Sequence, residues 1–148
     1  MTRPSAEVWQ WAGHGDQVQA AAWSPQGASL ATQSKDKTLR VFDPRYTLLY
    51  SSLEICIYND VHSRSSSGPV QETASHAGMK DSKVVWVGEG RVLTSGFGAD
   101  RARELIIRDT RNISSPQKVL SLDVSSGILM PLHDPDTNMV FLCGKGDR

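Results

Sequence analysis

The stretch "GHGDQVQAAAWSPQGASLATQSKDKTLRVFDPR", Gly13 to Arg45, decides the fold, because it reads as one complete structural unit inside a chain of 148 residues. Val18 to Trp23 extends as a strand that stops at Ser24-Pro25-Gln26-Gly27. Proline in the second place and glycine in the fourth suit a type I turn. Leu30 to Ser34 supplies a second strand, and "SKDK" is a polar turn in which Asp36 can bond neighbouring backbone N–H groups. Thr38 to Phe42 then alternates, with Leu39 and Val41 on one face and Thr38, Arg40 and Phe42 on the other, the period of a half-buried strand. Upstream, "EVWQW" (Glu7 to Trp11) has the aromatic and β-branched content of a further strand. No segment carries a sustained helical period, so the expected class is all-β.

The unit repeats. Trp86 is followed by "VGEG", the strand "RVLTSGF", a polar turn "GADRARE" and the strand "LIIRDTR". The intervals Trp23 to Asp43 and Trp86 to Asp109 are 20 and 23 residues, the second carrying a longer turn before its last strand. A histidine precedes each tryptophan, His14 by nine residues and His76 by ten. A third copy opens at "GILMPLHDPDTNMVFLCGKGD", and the chain is expected to stop where its third strand should start. Trp23 and Trp86 lie 63 residues apart, against roughly 40–45 for a four-stranded propeller blade. Setting aside Tyr46 to Gly68, which matches nothing in the other copies, restores a 40-residue interval. The expected organisation is therefore an incomplete propeller of about two and a half blades. Residues 13–45 and 69–75 make the first blade, 46–68 an insertion, 76–123 the second blade and 124–148 a truncated third.

Composition narrows the function classes. Sixteen basic residues balance sixteen acidic ones, so no net field attracts nucleic acid or an anionic membrane, although local basic patches remain open. Cys56 and Cys143 follow no metal or redox spacing, and no secretory leader is read near Met1, which leaves a reduced cytoplasmic setting as the expectation. The sequon at Asn112-Ile113-Ser114 is then a chance match. The most apolar run, "YTLLYSSLEICIY", spans 13 residues, contains Glu54 and is too short to cross a bilayer.

No catalytic, cofactor or metal site is expected. "GFGADR" begins like a dinucleotide fingerprint but has Arg101 at its last position, and no helix pattern follows. "GKGD" lacks both the upstream glycine and the hydroxyl residue of a phosphate-binding loop. "HDPD", His133 to Asp136, falls where the first copy has its "SPQG" turn. A histidine–aspartate catalytic pair would need a nucleophile, and no G-x-S-x-G pattern occurs.

Gly13-His14, the strand pattern, Asp36 and the ending Phe42-Asp43 resemble a WD repeat with phenylalanine in place of tryptophan, and "LIIRDTR" resembles a second with Arg108 there. The run "VLTSGF…LIIRDTR" followed by "GILMPLHDPDTNMVFLCGKGD" is similar to the propeller of the coronin family, and "VVWVGEGRVL" leans toward its long, two-propeller members. The resemblance covers about two-thirds of the chain. It implies a non-enzymatic scaffold that binds actin filaments and links the cytoskeleton to trafficking or polarity. It also implies a cytoskeleton-associated location, with Golgi or vesicle association for a long member. The basic segment that opens the family's propeller is not found here, so filament binding by this chain alone is not expected. The alternatives are a generic WD-repeat adaptor of a trafficking or ubiquitin complex, and a hydrolase on a propeller scaffold.

The resemblance also implies a structural hydrogen-bond network, made by His14 and Asp36 with Thr32 or Ser34 in the first copy, and by His76, Ser95 and Asp100 in the second. Phe42 cannot complete it, since phenylalanine has no N–H donor. Four basic residues lie in equivalent turns of the two copies, Lys35 and Lys37 in one and Arg101 and Arg103 in the other. Such turns sit side by side on one rim of a propeller, so the four are expected to form a basic ridge facing an acidic partner.

Overall fold

The computed structural model describes residues 13–43 and 71–146, and every regular element among them is a β-strand. The Glu7 to Trp11 strand and the Tyr46 to Gly68 insertion expected from the sequence lie outside the described residues. The first sheet is an antiparallel meander of β1 (Val18–Trp23), β2 (Leu30–Ser34), β3 (Thr38–Phe42) and β4 (Gln71–Ala74), paired in that order. The second repeats it with β5 (Lys83–Trp86), β6 (Arg91–Phe97), β7 (Arg103–Asp109) and β8 (Asn112–Ser121). A third pair, β9 (Leu129–Asp134) and β10 (Met139–Gly144), forms a two-stranded sheet. This is part of a β-propeller.

Local chemistry accounts for the turns. Gly27 N–H donates to the Ser24 carbonyl at 2.8 Å, and the Ser24 hydroxyl accepts the N–H groups of Ala28 and Ser29 at 3.1 and 3.0 Å. Gly27 takes φ +66°, a left-handed conformation that costs glycine little. In the next turn Lys37 takes φ 64°, and Asp36 accepts the Thr38 N–H at 3.0 Å, the local bond that lets a non-glycine residue hold this shape.

The sheets stack face to face with their first strands adjacent, β1 beside β5 and β5 beside β9. Ala31, Leu39 and Val41 of the first sheet and Val84, Trp86, Val92 and Ile113 of the second make one shared apolar cluster. The Trp86 indole N–H donates to the Ala22 carbonyl at 2.8 Å, tying β5 to β1. Leu93 and Leu105 meet Leu129 in a second cluster, between the second and third sheets. Each interface is built from faces that neither sheet could bury alone, which is how repeat units gain stability.

Two expectations need correction. The alternation of Thr38 to Phe42 predicts a half-buried strand, yet Leu39, Arg40, Val41 and Phe42 are all buried. β3 stands between β2 and β4, and its second face is covered by a polar cluster around Arg40. The second correction is length. β6 runs on to Phe97 and β7 starts at Arg103, so this hairpin is longer than the one between β2 and β3.

Candidate functional site

The polar cluster of the first sheet is centred on Asp36. His14 enters from the segment before β1, its Nδ1 lying 3.2 Å from Asp36 Oδ2 and its Nε2 2.7 Å from the Thr32 hydroxyl. Asp36 also accepts the Gly15 N–H at 2.9 Å, the Thr38 hydroxyl at 2.5 Å and Arg40 Nη1 at 2.8 Å. Arg40 contacts His14 Nδ1 as well, and its Nε and Nη2 grip Glu72 of β4 at 2.9 and 3.1 Å. Ser34 does not touch the histidine; its hydroxyl donates to the Asp16 carbonyl and accepts the Asp36 N–H.

Ionisation follows the contacts. Burial would raise the Asp36 carboxyl, but hydrogen bonds from Thr38, Arg40, Gly15 and His14 outweigh it and hold it well below the usual carboxylate range. Burial lowers His14, and the Asp36 hydrogen bond only partly opposes this. Burial also works against the Arg40 cation, yet bonds to Glu72 and Asp36 raise its pKa overall.

The second sheet builds its cluster from other residues. His76 Nδ1 lies 2.7 Å from Glu104 Oε1, and Nε2 lies 3.1 Å from the Thr94 hydroxyl. Neither Asp100 nor Ser95, the partners expected from the sequence, touches the ring. Asp100 accepts the Ala102 N–H at 3.1 Å within its own turn, and the Ser95 hydroxyl donates to the Leu129 carbonyl at 2.8 Å, reaching the third sheet. The cause is hairpin length. Leu30 pairs with Phe42 and Val92 with Arg108, so the second connection covers 16 positions where the first covers 12. Two added residues on each strand carry Asp100 about 7 Å farther out. Glu104 lies nearer on the returning strand, and its longer side chain reaches the imidazole. A Cβ at Gly96 would overlap the His76 ring, so glycine is required beneath it.

Arg108, standing where the first sheet has Phe42, is buried. Its Nη2 donates to the Ala74 carbonyl at 2.9 Å, while Nε and Nη1 have no hydrogen-bond partner among the described residues. Burial lowers its pKa, with Glu104 opposing. Burial likewise lowers His76 despite the Glu104 hydrogen bond, and the positive Arg108 lowers it further.

The basic residues divide. Lys35, Lys37 and Arg101 are exposed at the tips of equivalent hairpins. Arg103 is not; it is buried and donates from Nε and Nη2 to Asp123 at 2.6 and 2.5 Å. That pair fastens the start of β7 to the segment after β8. Lys80, unremarkable in the sequence, joins the same rim from the β4–β5 connection.

The remaining motifs are turns. His133 Nε2 lies 3.2 Å from Asn138 Oδ1, and Asp134 accepts the Asp136 N–H and the Thr137 hydroxyl at 3.2 and 2.6 Å. Among the described residues no group of three histidine, cysteine or acidic side chains converges as a metal site. Among them, too, no helix is long and apolar enough to cross a membrane.

Known proteins resemble this chain in sequence and fold. The family "WD domain, G-beta repeat" matches residues 5–43. Human coronin-7 is 42% identical over 138 residues, covering 93% of this chain and 13% of its own length. Bovine coronin-7 is 40% identical over 144 residues, covering 96% of this chain and 14% of its own. The chain thus spans about one-seventh of these relatives. The crystal structure of the WD40 domain of Toxoplasma gondii coronin superposes with a TM-score of 0.75 at 32% identity, over 92% of this chain and 31% of that one.

Proposed function

The chain is a WD40-repeat segment homologous to coronins, and on that premise we propose that it serves as part of a non-enzymatic scaffold that binds actin filaments and links them to trafficking or polarity. The observation that carries this reading is the row of Lys35, Lys37 and Arg101, exposed on hairpin tips of adjacent sheets. A row of cations held on a rigid sheet suits an acidic protein surface, and it acts through encounter rate and orientation. The histidine clusters support the reading from beneath, since both hold the turns and connections from which the rim is built. Their ionisable groups are consumed by internal bonds, which suits a structural role. A cytoplasmic, cytoskeleton-associated location, with the Golgi or vesicles as a second address, follows from the same proposal.

The test is co-sedimentation with actin filaments. In a full-length protein that contains this segment, the triple variant Lys35→Glu, Lys37→Glu, Arg101→Glu is expected to sediment less than the unaltered protein, with the difference shrinking as salt shortens the Debye length below about 8 Å. Arg103 is left unaltered, because reversing it would break the Asp123 pair. Equal co-sedimentation at low salt would remove the rim from the binding surface.

A further inference from the structure

We propose that the cleft between the first sheet and the β4–β5 connection at this rim is a docking notch for an acidic polypeptide segment, with the ammonium groups of Lys35, Lys37 and Lys80 receiving its carboxylates. The proposal rests on the scaffold reading and names the chemistry of the partner at that rim. The three lysines come from two separate places, the β2–β3 turn and the β4–β5 connection, and they line one cleft together with Gln19, Gly78 and Ser82.

The ammonium groups are positioned without being neutralised. Lys37 Nζ donates to the Ala77 carbonyl at 2.7 Å, and Lys80 Nζ donates to the Ser126 carbonyl at 2.9 Å. Lys80 Nζ also lies 4.7 Å from the centroid of the Phe97 ring. These acceptors are uncharged, so each lysine keeps its full charge and further N–H donors for a ligand. Holding long side chains in place beforehand lowers the ordering cost of binding. Lys35 makes no side-chain hydrogen bond or ion pair among the described residues.

Nearby carboxylates are engaged elsewhere. Asp36 is held by Arg40, His14, Thr38 and Gly15. Glu104 faces His76; Asp81 is the exception, since it accepts the uncharged Gln19 Nε2 at 2.9 Å and keeps its charge, one carboxylate against three ammonium groups. The notch is therefore locally positive on a chain whose formal net charge is zero. The cleft has room for about one water-sized group, so what it can take is a projecting carboxylate of a segment lying across it.

The test uses fluorescence anisotropy of a labelled hexaglutamate peptide with the full chain, and hexaglutamine as the control. Hexaglutamate is expected to bind saturably and to weaken as salt rises, while hexaglutamine does not bind. Lys35→Gln and Lys80→Gln should each lower the affinity by about tenfold, the size of one lost charge-assisted contact. Arg101→Gln, on the rim and outside the cleft, should leave it unchanged. Lys35→Gln breaks no side-chain bond among the described residues, so it remains decisive if Lys80→Gln loosens the β4–β5 connection. Equal binding of the two peptides, or unaltered affinity in Lys35→Gln, overturns the proposal. So does binding to anionic vesicles without peptide binding. Filament co-sedimentation of a full-length protein that contains this segment, run in parallel, separates the two readings. Peptide binding without filament binding leaves the notch and removes actin; filament binding without peptide binding does the reverse.

Discussion

The first and second sheets are copies in register, yet their equivalent residues live in different surroundings. Trp23 and Trp86 end the first strand of each, but Trp86 is 6% exposed and Trp23 55%. Trp86 faces the first sheet and finds the Ala22 carbonyl; among the described residues no sheet lies over Trp23. The histidine clusters differ as well. In the first sheet an aspartate in a short turn bonds the imidazole, and a buried arginine is satisfied on both sides, by Asp36 and Glu72. In the second a glutamate from the strand does that work, and a buried arginine is left with two nitrogens unpaired among the described residues. A repeat thus supplies positions, while neighbouring sheets and loop lengths decide what each position is worth.

Substituting the paired tryptophans gives the widest contrast. Trp86→Ala should cost about 3–5 kcal/mol of unfolding free energy, the usual result of emptying a buried aromatic site. Trp23→Ala should cost under about 1 kcal/mol, as for surface changes that open no cavity. Denaturant unfolding of both variants measures the difference, and equal losses would mean that Trp23 has a cover of its own.

Next come the carboxylates of the second sheet. Glu104→Ala leaves both His76 and the buried Arg108 cation without their acidic neighbour, and should cost about 3 kcal/mol. Asp100→Ala removes one turn bond and should cost about 1 kcal/mol or less. Should thermal melting show Asp100 to be the more sensitive, the assignment of Glu104 as the imidazole partner fails.

Arg108→Met should act in the opposite direction and stabilise the chain by about 1–2 kcal/mol, because it removes a buried charge that the site cannot fully pair. By contrast, Arg40→Met should destabilise, since it strands Asp36 and Glu72. A raised melting temperature for the first variant and a lowered one for the second would confirm that the two arginines differ in satisfaction, not merely in position.

The smallest effect is the pH dependence. Both histidines titrate below their ordinary value of 6.5 in the folded chain, so the unfolded chain binds protons first. Stability is then fully present above about pH 6.5 and falls as pH drops toward the folded values, by at most about 1.4 kcal/mol per pH unit for each histidine. His14→Asn and His76→Asn should each flatten the curve of melting temperature against pH between 6.5 and 5. A double variant with an unchanged slope would place the titration elsewhere.

Much of the fold can be read from the residues because its signals are local. The two turns at Ser24 to Gly27 and Ser34 to Thr38, together with period-2 alternation, set three strands whose bounds match β1, β2 and β3. The WD-repeat resemblance leads to His14, Asp36 and Thr32 in the same way, through a spacing that places them on one sheet end. Glu104 escaped this reasoning although its signal was present. The interval from Trp86 to Asp109 is three residues longer because the β6–β7 hairpin gains four positions and the turn before it loses one, and lengthening an antiparallel hairpin moves its tip outward in steps of two. Thr94 also carried a signal, standing 18 residues after His76 as Thr32 stands 18 after His14, whereas Arg40 and Glu72 carried none.

By itself, then, the sequence determined the strand order, the repeat, the kinship with coronins and the charged turns, since each depends on residues close together in the chain or on a motif of fixed spacing. Only the tertiary structure decided which charges remain available. Arg103 is consumed by Asp123, 20 residues away, and Lys80 is brought beside Lys37 from across the β4–β5 connection. Burial and pairing between distant strands depend on how the sheets stack, and no local pattern encodes the neighbour that a side chain will meet there.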